Sequence, residues 1–189
     1  LGALYFINNI DDKDLVARSR RSLIGNSVLF LVFFLSFVIR TLLADGYAVN
    51  PETGEIFMEP YKYLTNFIEM PVVLVLFLIG VVLVLFGIGK SLLKPKFDKG
   101  IWFTGIGTVL AVLALLLVAG YNHTAYYPST NDLQSSLTLA NSCSSEFTLR
   151  VMFYVSFLVP FVLAYIFYAW RSIDIHKIDE KEMKDGGHS

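Results

Sequence analysis

Few side chains of this sequence could carry out chemistry. The three histidines are His123, His176 and His188, and Cys143 is the single cysteine. A haem b site in a membrane typically takes a histidine from inside a helix, and a cysteine-based metal site needs several cysteines. The sequence also lacks Gly-x-Ser-x-Gly, His-Glu-x-x-His and phosphate-loop motifs. It therefore predicts no catalytic residue and no metal ligand, and it leaves any cofactor-binding residue unassigned.

The other polar candidates are interpreted as structural. Cys143 is expected to be a spectator thiol, with pairing to another segment or to a partner as the alternative. Arg40 is interpreted as an interfacial anchor in preference to a catalytic arginine, because its long stem can reach water from the end of an apolar segment. Asn122-His123-Thr124 matches a glycosylation triplet, which is frequent by chance. Glu146 and Arg150 are four residues apart, and this spacing predicts an ion pair on one helix face.

Four long apolar segments must position these residues. Each segment has about 20 residues, and at about 1.5 Å rise per residue a helix of that length crosses a hydrocarbon core about 30 Å thick. Hydrophobic residues make up 55% of the chain. The sequence therefore predicts an all-α integral membrane protein with four transmembrane helices in an up-down bundle. The predicted spans are Leu23–Ala44, Met70–Gly89, Ile101–Gly120 and Thr148–Trp170.

Lys and Arg cluster in every second connection between the spans. By the positive-inside rule, these connections and both chain termini are cytoplasmic. Residues 1–22 are expected to be the cytoplasmic end of a preceding helix followed by a basic link, residues 23–171 the bundle, and residues 172–189 a charged cytoplasmic tail. The net charge of −1 argues against a nucleic-acid partner. The basic clusters are Lys13, Arg18, Arg20 and Arg21; Lys90, Lys94, Lys96 and Lys99; and Arg171, Lys177, Lys181 and Lys184.

Helix signals flank and interrupt the spans. An aspartate within residues 11–14 is expected to cap a short helix before the first span. Glu69 and Pro71 suit the start of the second span, where a negative charge and a missing N–H are both tolerated. Pro160 lies in the middle of the fourth span and is expected to kink it.

Small residues recur at four-residue spacing in the third span. Gly100, Thr104 and Thr108 form one such row, and Gly107 and Ala111 form another. Small residues spaced in this way let helix backbones approach closely in lipid. We therefore expect this face to be a packing surface and not a ligand site.

A more specific signal runs along the second half of the chain and resembles the C-terminal region of subunit II of the cytochrome bd quinol oxidases. Its pieces are Pro128-Ser129, Ser136-Leu137-Thr138, Ser144-Ser145, Thr148-Leu149 with Val151-Met152, and Val159-Pro160, with Asp45-Gly46-Tyr47 and Asn66-Phe67 upstream. The chain departs from this family at Ala140-Asn141-Ser142, where members tend to carry Trp-Asp-Ala.

The resemblance implies the second half of an eight-span, non-catalytic subunit of a bacterial cytoplasmic (inner) membrane quinol:O₂ oxidoreductase. It implies that haems b558, b595 and d lie in a partner, subunit I, and that this chain alone binds no cofactor. The further partners it implies are the N-terminal half of the same subunit, membrane lipid and a quinone, including a structural quinone associated with subunit II. The expected role is to support assembly and the buried environment of subunit I.

The sequence favours this expectation over two other classes of protein. Half of a repeat-built secondary transporter would need broken helices and polar groups near the midplane, and Pro160 is the only candidate break. A haem-bearing anchor subunit would need histidines inside the spans, and the sequence has none there.

Overall fold

The computed structural model describes residues 1–94 and 96–173, so most of the predicted tail, with His176 and His188, lies outside the described residues. Within these described residues, four helical stretches are long and apolar enough to cross a membrane: Lys13–Leu43, Pro71–Leu93, Gly100–Gly120 and Glu146–Ser172. This confirms the predicted helical membrane class with four candidate spans. The elements are α1 (Gly2–Asn9), α2 (Lys13–Leu43), β1 (Gly46–Val49), β2 (Ile56–Glu59), α3 (Lys62–Glu69), α4 (Pro71–Leu93), α5 (Gly100–Gly120), α6 (Glu146–Ser156) and α7 (Val159–Ile173).

The first span extends further toward the N-terminus than the sequence indicated. Asp12 caps α2 by accepting a hydrogen bond from the Leu15 backbone N–H at 2.8 Å. The expected cap is therefore present, but the short separate helix is not, because α2 continues unbroken for 31 residues through the basic stretch. Helix α1 packs against this extension, and Leu4, Ile7 and Leu23 form a buried apolar cluster between them.

Helices α4 and α5 are antiparallel and in close backbone contact. A Cβ atom built on Gly80 would lie 2.8 Å from the Gly107 carbonyl oxygen, and one on Gly107 would lie 2.5 Å from the Gly80 carbonyl oxygen. Gly87 and Gly100 form a second pair of this kind one heptad away. Ala111 is also buried in this interface. The predicted packing face of the third span is therefore confirmed, with α4 as its partner.

A folded segment lies at the end of the helices where α2 ends and α4 begins. Strands β1 and β2 form an antiparallel hairpin that pairs Gly46 with Glu59 and Val49 with Ile56. The short helix α3 follows, so Glu69 is the last residue of α3 and not part of the second span. Pro71 occupies the first turn of α4, as predicted.

The fourth span is interrupted and exposed. Helix α6 ends at Ser156 and α7 begins at Val159, one residue before Pro160, which agrees with the predicted kink. None of the hydrophobic window of Glu146–Ser172 is buried. The structure therefore differs from a closed four-helix bundle, since α2, α4 and α5 pack together while the fourth span stands apart from their core.

The basic connection between α4 and α5 is held against α2. The Arg20 guanidinium donates hydrogen bonds to the Ser91 carbonyl oxygen and, at 3.4 Å, to that of Phe97. The bond to Ser91 satisfies a carbonyl in the last turn of α4, which a helix leaves without a partner. The bond to Phe97 lies in the connection that follows. The Lys90 ammonium lies 4.7 Å from the ring centroids of both Phe86 and Phe97, a cation–π arrangement.

We expect Gly107→Leu to destabilise the protein strongly, because its side chain would meet α4 backbone atoms at less than contact distance. Overpacking of this kind costs about 1–3 kcal/mol. Gly105→Leu is the matched control, since nothing lies within 4 Å of a Cβ built there. Thermal unfolding of the detergent-solubilised full-length protein measures both. Equal melting temperatures for the two variants would contradict the close α4–α5 contact.

We expect Arg20→Gln to loosen the connection between α4 and α5, because the charge-assisted bonds to its carbonyls are lost. The measurement is the rate of trypsin cleavage after Lys96 or Lys99, which should rise severalfold. Arg21→Gln is the control, since Arg21 is exposed on the same helix. If the Arg20 and Arg21 variants are cleaved at the same rate, the connection does not depend on this arginine.

Candidate functional site

The buried polar side chains concentrate beneath the hairpin, at one end of the helices. We call it the outer end because the predicted topology puts it outside the cytoplasm. Asn66 on α3 is fully buried there, and its Nδ2 donates to the Val118 carbonyl oxygen and to the Thr124 hydroxyl, both at 2.8 Å. Helix α3 is strongly amphipathic and turns Lys62, Asn66 and Phe67 inward. A buried amide is tolerated only when its polar atoms have partners, and here the partners come from α5 and the loop that follows it.

Asn122 extends this cluster. Its Nδ2 donates to Asn66 Oδ1 at 3.1 Å and to the Glu69 carboxylate. Asn122 and His123 both have left-handed backbone conformations, with φ of 54° and 53°. That region is sterically costly for residues with a Cβ, and Asn adopts it more readily than most. The turn aims the Asn122 side chain back at α3. We name Asn66, Glu69, Asn122 and Thr124 the outer polar cluster.

The hairpin is fastened to the same turn. The Val49 N–H donates to the His123 carbonyl oxygen, and the Ala125 N–H donates to the Tyr47 carbonyl oxygen, both at 2.8 Å. The loop after α5 thus adds backbone hydrogen bonds alongside β1. Hairpin, α3 and α5 are therefore connected through one short stretch of chain.

A partly buried ion pair lies at the edge of this region. The Lys62 Nζ is 3.2 Å from a Glu59 carboxylate oxygen, and the Lys62 residue is only 7% exposed. Its stem packs on Gly46, where a Cβ would come within 2.5 Å of the Lys62 Cβ. Pairing offsets the cost of burying the ammonium group. Next to it, burial raises the pKa of the Tyr63 phenol, and the neighbouring Tyr47 raises it further.

Two open cavities flank the turn at Asn122 and His123. One, of about 460 Å³, is bordered by Met70, Tyr121 and Leu139. The other, of about 600 Å³, is bordered by Glu59 and Lys62. Neither holds a nucleophile beside a base, the arrangement that covalent catalysis needs. Among the described residues, no group of three or more His, Cys, Asp and Glu side chains could hold a metal ion. The hydrogen bonds and the ion pair of this region fix and orient chain segments.

The residues singled out in the sequence do not meet in one place. His123 is exposed in the outer loop, and Cys143 is an exposed free thiol. Arg40 is exposed in the last turn of α2, and within residues 1–94 and 96–173 no carboxylate lies within 4.0 Å of its guanidinium. The Glu146–Arg150 pair is confirmed at 2.6 Å, and the Ser145 side chain caps α6 by accepting from the Thr148 N–H.

Sequence reasoning from residue types missed the buried members of this region. Lys62, Asn66 and Thr124 stand in stretches that looked like polar loops, and only the family resemblance pointed to Asn66-Phe67. The available signal was the amphipathic pattern of residues 62–69, which places one apolar and two polar side chains on one helix face.

These features define a class: a multi-pass helical membrane protein. Its described polar cluster lies outside the spans. The chain matches the family model described as cytochrome bd terminal oxidase subunit II over residues 1–173, and it belongs to that family. It is similar to the cytochrome bd-I ubiquinol oxidase subunit 2 of Escherichia coli K12, with 28% identity over 156 residues. The subunits 2 of the O6:H1 and O157:H7 strains match equally well. The match covers 81% of this chain and 39% of each relative, so the chain spans about two fifths of their length.

We expect Asn66→Ala to destabilise the outer end, because the Val118 carbonyl and the Thr124 hydroxyl lose a buried partner. Leaving such groups unsatisfied costs about 1–3 kcal/mol. Asn131→Ala is the control, since Asn131 is exposed in the loop after α5. The measurement is the thermal unfolding midpoint of the full-length protein. An Asn66 variant as stable as the Asn131 variant would show that the cluster does not hold the outer segments.

Proposed function

We propose that the chain is the C-terminal half of subunit II of a bacterial cytochrome bd quinol:O₂ oxidoreductase. Its role in this proposal is non-catalytic: it supports assembly of the haem-bearing subunit I and the buried environment of that subunit. The observation that carries the proposal is the family match over residues 1–173 of a chain whose spans keep their charged residues at their ends. A scaffold subunit needs apolar, well-packed helices and no reactive group of its own.

The haems of the complex are proposed to lie in subunit I. His123 is the one histidine among the described residues, and it is exposed in an outer loop, which does not fit an axial ligand inside a span. The proposed further partners are the N-terminal half of the same subunit, membrane lipid and a quinone. The proposed location is the bacterial inner membrane, with both termini cytoplasmic.

The scaffold role is supported by the difference in packing between the first three spans and the fourth. Helices α2, α4 and α5 form one packed unit, whereas the fourth span buries no residue and exposes large side chains such as Phe153 and Phe161 along its length. In a membrane these surfaces contact lipid or other helices. We propose that subunit I and the other half of subunit II cover part of them.

The transporter alternative is not favoured. The break in the fourth span is closed by its own backbone: the Leu158 N–H donates to the Val155 carbonyl oxygen at 2.9 Å, and the Val162 N–H donates to the Leu158 carbonyl oxygen at 3.2 Å. Its residues line none of the cavities described above. A broken helix that serves a transport site should direct freed backbone groups toward a polar cavity.

The test is a mild-detergent purification of the full-length parent protein, followed by a reduced-minus-oxidised spectrum. We expect a larger subunit to co-purify, together with b-type and d-type haem bands. His123→Ala should leave every haem band unchanged, because no ligand role is assigned to His123. A haem-free preparation without a partner would overturn the oxidase proposal, and loss of one band from the fully assembled His123 variant would overturn the haem assignment.

A further inference from the structure

We propose that a cavity between α2, α4 and α5 is a binding site for a small apolar molecule of the size of dioxygen or xenon. We name it the inter-helix cavity. It is bordered by Phe30 and Phe34 of α2, Val81 and Leu85 of α4, and Ala111 of α5. The proposal does not depend on the oxidase function, because it rests on the packing and chemistry of these three helices.

The first step is the floor of the cavity, which the close contact of α4 and α5 creates. A Cβ atom built on Gly80 would lie 2.6 Å from the Ala111 backbone nitrogen, so no side chain fits between the two helices there. Ala111 itself is buried and carries only a methyl group. Small residues at a helix contact bring the backbones together, and they leave little side-chain volume above the contact.

The second step is the roof of the cavity, which α2 supplies with large rings. The ring centroids of Phe30 and Phe34 lie 5.5 Å apart in a stacked arrangement. The Phe34 centroid also lies 6.4 Å from that of Phe77 in α4. These contacts restrain the rings, so they span the floor without filling the space above it. A cavity of about 110 Å³ remains between floor and roof.

The third step is the chemistry of the walls, which excludes water. Among the described residues that border the cavity, only Thr108 has a polar side chain. Its hydroxyl donates to the Thr104 carbonyl oxygen at 2.7 Å, so it is already satisfied within α5. The described atoms that line the cavity are apolar. Because a buried water needs about two to four polar partners, this cavity favours an apolar occupant.

The size of the cavity and its entrance specify the occupant further. An engineered apolar cavity of about 150 Å³ in another protein stays dry and binds benzene or xenon. The inter-helix cavity is smaller, so its occupant has few heavy atoms. Leu85 and Val112 on its wall are 44% and 49% exposed, which gives access from the hydrocarbon around the helices. A rigid molecule such as dioxygen loses no internal freedom on entering, whereas an acyl chain must be ordered.

The test is diffraction from xenon-pressurised crystals of the full-length protein in its native complex. We expect an anomalous xenon peak in the inter-helix cavity. Val81→Phe should abolish this peak, because the added ring occupies the space. Val82→Phe is the matched control, since Val82 is the exposed neighbouring residue and does not border the cavity. Absence of the peak from the wild type, or its survival in Val81→Phe, would overturn the proposal.

A second pair of variants decides the question if Val81→Phe fails to assemble. Leu85→Phe fills the cavity from its exposed side and should also abolish the xenon peak. Leu78→Phe makes the same change at an exposed residue of α4 that does not border the cavity, and it should keep the peak. Equal xenon peaks in these two variants would overturn the proposal. Ordered water or an acyl chain in the cavity of untreated wild-type crystals would overturn it as well, since the proposed occupant is small and the cavity dry.

Discussion

The close backbone contact between α4 and α5 is the constraint on which the rest of the structure depends. In lipid there is little hydrophobic drive for helices to associate, so contact comes from packing, and packing is best where side chains are absent. Gly80 faces Gly107, and Gly87 faces Gly100, so successive contacts are spaced seven positions apart on each helix. This repeat keeps one face of each antiparallel helix against the other. It therefore fixes the positions of the two ends of the α4–α5 pair, and different segments of the chain then cover each end.

The two ends are closed by different chemistry. At the outer end, buried amides and hydroxyls link α3 to the end of α5, and Phe67, Val73, Ala114 and Val118 form an apolar cluster below them. At the other end, a single guanidinium donates to a carbonyl in the last turn of α4 and to another in the connection that follows it. Both solutions answer the same problem, which is that helix termini leave backbone groups without partners. Because the partners come from distant segments, closing the ends also joins α2 and α3 to the α4–α5 pair.

The features that the sequence could predict are those set by local rules. The spans follow from hydrophobic length, the break before Pro160 from a missing N–H, and the Glu146–Arg150 pair from helix spacing. The contacts of Asn66 and Arg20 could not be predicted, since each joins residues more than 50 positions apart in the sequence. The extent of α2 was underestimated for a different reason. The charge of residues 13–22 predicts a link, although the stretch contains no proline and nothing else that ends a helix.

Among the described residues, the fourth span differs from the others because it does not pack against α2, α4 and α5, and its contacts are local. Its break is bridged by its own backbone, because the N–H groups of Phe157, Leu158, Phe161 and Val162 donate to carbonyls three or four residues earlier. Phe153 and Phe157 pack edge to face on the same helix, so this contact is local too. With no residue of Glu146–Ser172 buried in the described structure, this span has no position fixed by packing against α2, α4 and α5. The described structure thus contains two kinds of span: three that are fixed by contacts with one another, and a fourth whose described hydrogen bonds and ring contacts are local to it.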